Sequence, residues 1–217
     1  MDASTLDPSR APYRYLALGD SYTIGEAVAM EARFPVQTVR MLASRSVFFN
    51  FPEFRAVTGW TTADLLSSLD ARPPADDFDL VTLLIGVNNQ YRQRPASVYE
   101  REFPQLLERA VRCAKGRPEQ VMVLSIPDYS VTQFARNMDR ERISREIDEL
   151  NGINKEKSLG AGAAYLDVTT VSRKAEHHPG LIAGDGLHPS AEQYALWSAL
   201  LFPAIGSWFQ ENRPVPE

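Results

Sequence analysis

The sequence predicts an α/β fold, with three layers (α/β/α) built on a five-stranded parallel sheet in the flavodoxin-like order 2-1-3-4-5. Two observations carry this. Five runs of strand-forming residues alternate with segments of helical periodicity, the pattern of βαβ crossovers. The middle runs, Leu80–Ile85 and Val121–Ile126, are almost continuously apolar, as strands covered on both faces must be. A chain of 217 residues suits one domain, 1–217, with 1–12 and 213–217 as flexible ends.

The first strand is the apolar run Tyr13–Leu18, and it leads into Gly19-Asp20-Ser21-Tyr22-Thr23-Ile24-Gly25. Phe34–Ala43 places Phe34, Val36, Val39, Met41 and Leu42 at helical spacing. An edge-like strand is expected near Phe54–Val57, because Pro52 just before it has no ladder donor. Thr61 is positioned to cap the next helix, with Asp64 three residues on and Leu65, Leu66 and Leu69 on its inner face. The central strand Leu80–Ile85 ends at Gly86-Val87-Asn88-Asn89, residues that suit a turn.

A helix over Val98–Lys115 carries Phe103, Leu106, Leu107, Ala110 and Val111, and Gly116 with Pro118 ends it. After the strand Val121–Ile126, a charged helix over Asp139–Leu159 has an inner stripe of Ile143, Ile147, Leu150, Ile153 and Leu159. The last strand is Ala163–Val168. Ser190 then caps a final helix reaching about Phe209.

Composition narrows the function classes. With 23 basic and 28 acidic residues the net charge is −5, which offers no global attraction to nucleic acid or to an anionic membrane. No apolar run approaches the roughly 20 residues of a membrane span. The stretch from Met1 to Pro12 lacks the basic-then-apolar order of a signal peptide, so a cytoplasmic protein is expected. The single cysteine, Cys113, excludes an internal disulfide and sits on a helix as a buried, idle thiol.

In the order 2-1-3-4-5 the switch point lies between the first and third strands, where such sheets bind ligands. Ser21 follows the first strand and Asn88 the third. Gly59 ends the second, and Asp185 and His188 lie on the loop after the fifth, so all five residues gather at one sheet edge. A serine hydroxyl becomes a useful nucleophile when a histidine takes its proton and an acid fixes that histidine's tautomer. Ser21, His188 and Asp185 supply these types. The backbone N–H of Ser21, the backbone N–H of Gly59 and the side-chain amide of Asn88 are candidate donors to an oxyanion.

These blocks resemble those of the SGNH (GDSL-type) hydrolases, a family of esterases and lipases. Gly19-Asp20-Ser21 matches the nucleophile block, and Gly59, within Thr58-Gly59-Trp60-Thr61-Thr62, the glycine block. Gly86-Val87-Asn88-Asn89 matches the Gly-x-Asn-Asp block except at its last position, and Asp185-Gly186-Leu187-His188 matches the Asp-x-x-His block. Tyr22 also departs from the common Leu after the serine. Position 23 is Thr, which separates the chain from the Gly-x-Ser-x-Gly elbow of α/β-hydrolases.

The resemblance implies a cofactor-independent serine esterase with no metal site, acting on a small-molecule ester, with a short acyl group suggested by short loops. Lysophospholipase or thioesterase specificity is the alternative within the family; a flavodoxin-like phosphate-binding module is the alternative outside it. Asp20 is expected to brace the serine loop. Tyr22, Trp60, Tyr91 and Tyr129 are candidate substrate contacts, with Arg92 and His177 nearby. His177 and His178 raise a metal hypothesis, but adjacent histidines point apart in most backbones and no zinc-enzyme spacing accompanies them.

Overall fold

The computed structural model describes residues 12–211, so the expectation of flexible ends falls almost wholly outside the described residues. Five strands form one parallel sheet in the order β2-β1-β3-β4-β5. They are β1 (Tyr15–Gly19), β2 (Glu53–Ala56), β3 (Leu80–Leu84), β4 (Val121–Leu124) and β5 (Ala164–Leu166). Class and strand order are those the sequence predicts. β2 keeps its expected length of four residues, shifted by one, while each of the other strands is one to three residues shorter than its apolar run. Tyr13, for example, keeps only an isolated bridge to Phe49.

The long helices are α2 (Phe34–Ala43), α3 (Thr62–Ala71), α5 (Ala96–Cys113), α6 (Arg140–Gly160) and α8 (Ala191–Glu211). α2 packs on α8, while α5 packs on both α3 and α6. β1, β3 and β4 are buried along their whole length, whereas the edge strands β2 and β5 are largely half-buried. Burial thus follows the apolar content of each run: the more continuous the run, the more central the strand.

Capping also follows the sequence. Thr61 Oγ1 accepts from the Asp64 N–H while Asp64 Oδ2 accepts from the Thr61 N–H at 2.8 Å, a reciprocal capping box. Asp139 caps α6 through the Arg142 N–H at 2.9 Å, and Ser190 Oγ accepts from the Gln193 N–H at the start of α8. α5 and α8 each continue through an internal proline, Pro104 and Pro203, which removes one backbone donor.

Two features differ from the sequence reading. The residues after Gly86 form a short helix, α4 (Val87–Tyr91), and two more short helices stand at α1 (Ser21–Ile24) and α7 (Thr169–Arg173). Four or five residues are too few for periodicity to register. On α6, Leu159 is exposed and lies outside the inner stripe. The buried face continues instead through Asn154 and Ser158, where Asn154 Nδ2 donates to Tyr99 Oη at 3.1 Å. Cys113 is buried, as expected, and burial pushes its thiol pKa up.

Among the described residues, no helix is long and apolar enough to cross a membrane.

Candidate active site

The site is built on the turn that leaves β1. An added Cβ on Gly19 would lie 2.1 Å from Thr23 Oγ1 and 2.3 Å from the carbonyl oxygen of Leu84 on β3, so only glycine lets the chain pass here. Asp20 then caps α1, its Oδ1 accepting from the Tyr22 N–H at 3.0 Å. Ser21 is the first residue of that turn, where backbone N–H groups have no intrahelical partner. Tyr194 of α8 donates its hydroxyl proton to the Tyr22 carbonyl at 2.9 Å, fixing the turn from below.

The loop before α8 meets Ser21. Ala183 N–H bonds the His188 carbonyl at 2.8 Å, Ser190 N–H bonds the Leu181 carbonyl at 2.8 Å, and Ile182 bridges Pro189, so the loop is a tight antiparallel clip. Asp185 Oδ1 accepts the N–H groups of Leu187 and His188, both at 3.0 Å, and Asp185 Oδ2 lies 2.6 Å from His188 Nδ1. His188 Nε2 lies 3.0 Å from Ser21 Oγ. An ionised carboxylate only accepts, so Nδ1 carries the proton toward Asp185 and Nε2 is left to accept from the serine hydroxyl. Burial opposes ionisation of Asp185, but the bonds from His188 and the two backbone N–H groups outweigh it and hold its pKa below the ordinary carboxylate value.

Gly59 and Asn88 reach the same cleft. With Ser21, Tyr22, Tyr91, Tyr129 and His188 they line a cavity of about 170 Å³, completed by Thr58, Val87, Phe134 and Leu187. Gly59 has φ +83°, a left-handed backbone that an L side chain would strain. α4 clamps its loop at successive points. Arg92 Nη2 donates to the Gly59 carbonyl at 2.6 Å, and Asn88 Nδ2 donates to the Trp60 carbonyl at 2.9 Å. Asn89 Oδ1 accepts from the Thr62 N–H at 3.0 Å while its Nδ2 donates to Thr62 Oγ1 at 2.6 Å.

Thus Ser21, His188 and Asp185 form one hydrogen-bonded line, with Gly59 and Asn88 beside it. Of the candidate contacts, Tyr22, Tyr91 and Tyr129 line the cavity. Trp60 does not: it packs against the core and contributes its carbonyl to Asn88. Arg92 is occupied with Gly59 and Asp64, and His177 belongs to a separate cavity with His178, Lys174 and Glu192. Among the described residues, no group of three or more His, Cys, Asp or Glu side chains could hold a metal. Phe134, on the loop after β4, escaped the sequence reading. Its signal was position: every loop that follows a strand of this sheet reaches the same edge.

A hydroxyl, an imidazole and a carboxylate in line can pass the serine proton to the ring while the acid steadies the resulting cation. The fold is α/β/α, with a serine, a histidine and an aspartate in one hydrogen-bonded line at the edge of its parallel sheet. The chain belongs to the GDSL-like lipase/acylhydrolase family, whose profile matches residues 17–196. Several solved structures share the fold. A lipase/acylhydrolase from Enterococcus faecalis has a TM-score of 0.71 at 20% identity, covering 94% of this chain and 100% of its own. Axe2, an acetylxylan esterase from Geobacillus stearothermophilus, has a TM-score of 0.69 at 17% identity over 89% of this chain and 94% of its own. The psychrotrophic esterase EstA from Pseudoalteromonas sp. has 0.67 at 15% identity, over 91% and 98%. No curated protein sequence matches at a significant level.

Asn89, where the Gly-x-Asn-Asp block ends in Asp, has a physical reason. The Thr62 hydroxyl donates to Glu102 Oε2, so its proton is already committed and its lone pairs face Asn89. An amide N–H satisfies them, whereas a carboxylate would set lone pairs against lone pairs. Asn89→Asp should therefore lower the free energy of unfolding by about 1–3 kcal/mol, and Glu102→Gln in the same chain should restore most of it. Denaturant midpoints of the two single variants and the double variant measure this coupling.

Asp20 yields a second expectation. Its side chain is wholly buried, Oδ2 has no hydrogen-bond partner, and burial raises its pKa to about 7 although the Tyr22 N–H opposes the shift. The folded state then holds a proton that the unfolded chain releases near pH 4, so this group's contribution to stability falls as pH rises from about 4 to 7. Asp20→Asn keeps the Oδ1 acceptor and removes that dependence. Relative to the variant, wild type should lose up to a few kcal/mol between pH 5 and pH 8, and parallel pH profiles would contradict the assignment.

Proposed function

We propose that the chain is a serine esterase hydrolysing small carboxylic esters, its one domain spanning 1–217. The observation that carries the reading is the continuous line from Asp185 through His188 to Ser21 Oγ. The names of the structural neighbours agree with it, since a lipase/acylhydrolase, an acetylxylan esterase and an esterase share the fold.

In this reading Ser21 Oγ attacks the acyl carbon as His188 Nε2 takes its proton, and Asp185 stabilises the imidazolium. The Ser21 and Gly59 N–H groups and the second N–H of the Asn88 amide, the first being held by Trp60, receive the oxyanion. His188 then returns the proton to the departing alkoxide, which leaves as alcohol. Water, deprotonated by the same Nε2, releases the acyl group as an acid and regenerates Ser21. The cycle consumes only ester and water. Loss of one oxyanion donor typically costs about a hundredfold or more in rate, so Asn88 matters even though half its amide is structural.

The cavity of about 170 Å³ supports a short or compact acyl group, and none of its lining side chains is Asp, Glu, Lys or Arg.

Two measurements test the proposal. Ser21→Ala should lower hydrolysis of p-nitrophenyl acetate by roughly ten-thousandfold or more with an unchanged melting temperature; unchanged turnover would exclude the mechanism. Across acetyl, butyryl, octanoyl and palmitoyl esters, kcat/KM should peak at acetyl or butyryl, whereas a maximum at palmitoyl would overturn the assignment of a short acyl group.

A further inference from the structure

Three of the cavity's rings contact one another. The centroids of Tyr91 and Tyr129 are 6.3 Å apart, those of Tyr91 and Phe134 6.0 Å, and those of Tyr129 and Phe134 6.2 Å. The planes meet at 72°, 48° and 61°, so none of the three pairs is stacked. Tyr129 is buried, while Phe134 and Tyr91 are 40% and 50% exposed, so the wall runs from the interior to the surface.

Two of the wall's members are anchored by hydrogen bonds. Tyr129 Oη donates to Gln90 Oε1 at 2.8 Å, which spends the phenol's proton away from any ligand. The Phe134 N–H bonds the Gly186 carbonyl at 3.0 Å, tying the wall to the very loop that carries Asp185 and His188. Next to the wall, the backbone of Tyr129 is fixed through Asp128, which accepts from Ser144 at 2.7 Å and Arg173 at 2.9 Å. With its inner ring fixed in this way, the wall can select by shape and by ring electrostatics.

Size and charge narrow the occupant. An apolar cavity of roughly 150 Å³ holds one benzene ring, and the whole cleft, which must also take the ester group at Ser21, measures about 170 Å³, so the wall has room for no more than one ring. The absence of acidic and strongly basic side chains from its lining disfavours a charged occupant, which would lose its hydration without gaining a partner.

We propose that Tyr91, Tyr129 and Phe134 form a subsite for a single neutral aromatic ring on the ester, carried in either its acyl or its alcohol half. The proposal rests on the esterase reading and deepens it: the preferred substrates are compact aryl-bearing esters. A fourth ring completes an edge-to-face cluster, which a saturated ring of the same length does only through its apolar area. Each aromatic pair adds a few-fold to about tenfold beyond burial.

The test uses two matched pairs of esters, methyl phenylacetate against methyl cyclohexylacetate for the acyl half, and benzyl acetate against cyclohexylmethyl acetate for the alcohol half. In one pair the aryl ester should be favoured roughly tenfold in kcat/KM, which also identifies the half that occupies the wall. Phe134→Leu and Tyr91→Leu, both at exposed positions and both still apolar, should bring that ratio to near unity by lowering kcat/KM on the aryl ester more than on its cyclohexyl partner. Parity in both pairs with wild type, or an aryl preference that survives both substitutions, overturns the subsite. An independent arm reads binding without turnover: Ser21→Ala protein should bind benzyl alcohol more tightly than cyclohexylmethanol by ligand-observed NMR, and Phe134→Leu in that background should abolish the difference. Preferential binding with no hydrolysis of any ester would sink the esterase reading and leave the subsite standing, whereas equal binding of the two alcohols would sink the subsite alone.

Discussion

The position of Ser21 depends on β1 being paired on both sides. Leu16–Gly19 run in register with Glu53–Ala56 on one edge and Val81–Leu84 on the other. Gly19 approaches the β3 backbone so closely that no side chain fits. The turn that follows therefore has little room to shift, and the buried Asp20 carboxyl caps it through the Tyr22 N–H. The serine is held by two ladders and a cap before any other part of the site is considered.

The rest of the site is fastened to that fixed point by side chains whose work is structural. From α4, Arg92, Asn88 and Asn89 reach the β2–α3 loop at Gly59, Trp60 and Thr62, while Arg94 reaches Thr61 Oγ1 at 3.2 Å. The capping box at Thr61 and Asp64 then joins this loop to α3. A glycine with φ +83° is conformationally free in isolation, and these contacts remove the freedom. On the opposite side the Asp185 carboxylate organises its own loop through two N–H bonds before it meets the imidazole. Gly59, Asn88 and His188 are thus each held by a neighbour that does not line the cleft: Arg92, Trp60 and Asp185.

Much of this was legible in the sequence because strand order and loop position are coarse properties. Alternating apolar runs identify the strands, their number selects the order, and parallel pairing sends every βα loop to one edge. Ser21, Gly59, Asn88, Asp185 and His188 could therefore be gathered from four separate loops. What stayed hidden depends on side-chain direction and on short elements. Trp60 sits beside the site in sequence yet turns into the core, and α4 is too short for its residues to show a period. Leu159 follows the apolar pattern of α6 by composition but lies out of phase with the buried face, which Asn154 and Ser158 hold through hydrogen bonds. The role of Asn89 needed the third member of its chain, Glu102, which no local motif announces.

The hydrogen bond between Ser21 and His188 spans a sequence separation of 167 residues, and Tyr22 to Tyr194 spans 172. Contacts of such length are the costliest to close and belong late in folding, after local helices and neighbouring strands have formed. During synthesis Ser21 emerges well before His188, so a partly made chain carries the serine without the histidine that bonds it. On the proposed function, the onset of ester hydrolysis in a refolding or translation reaction would mark the meeting of these distant segments, and the reaction would serve as a clock for that long-range closure.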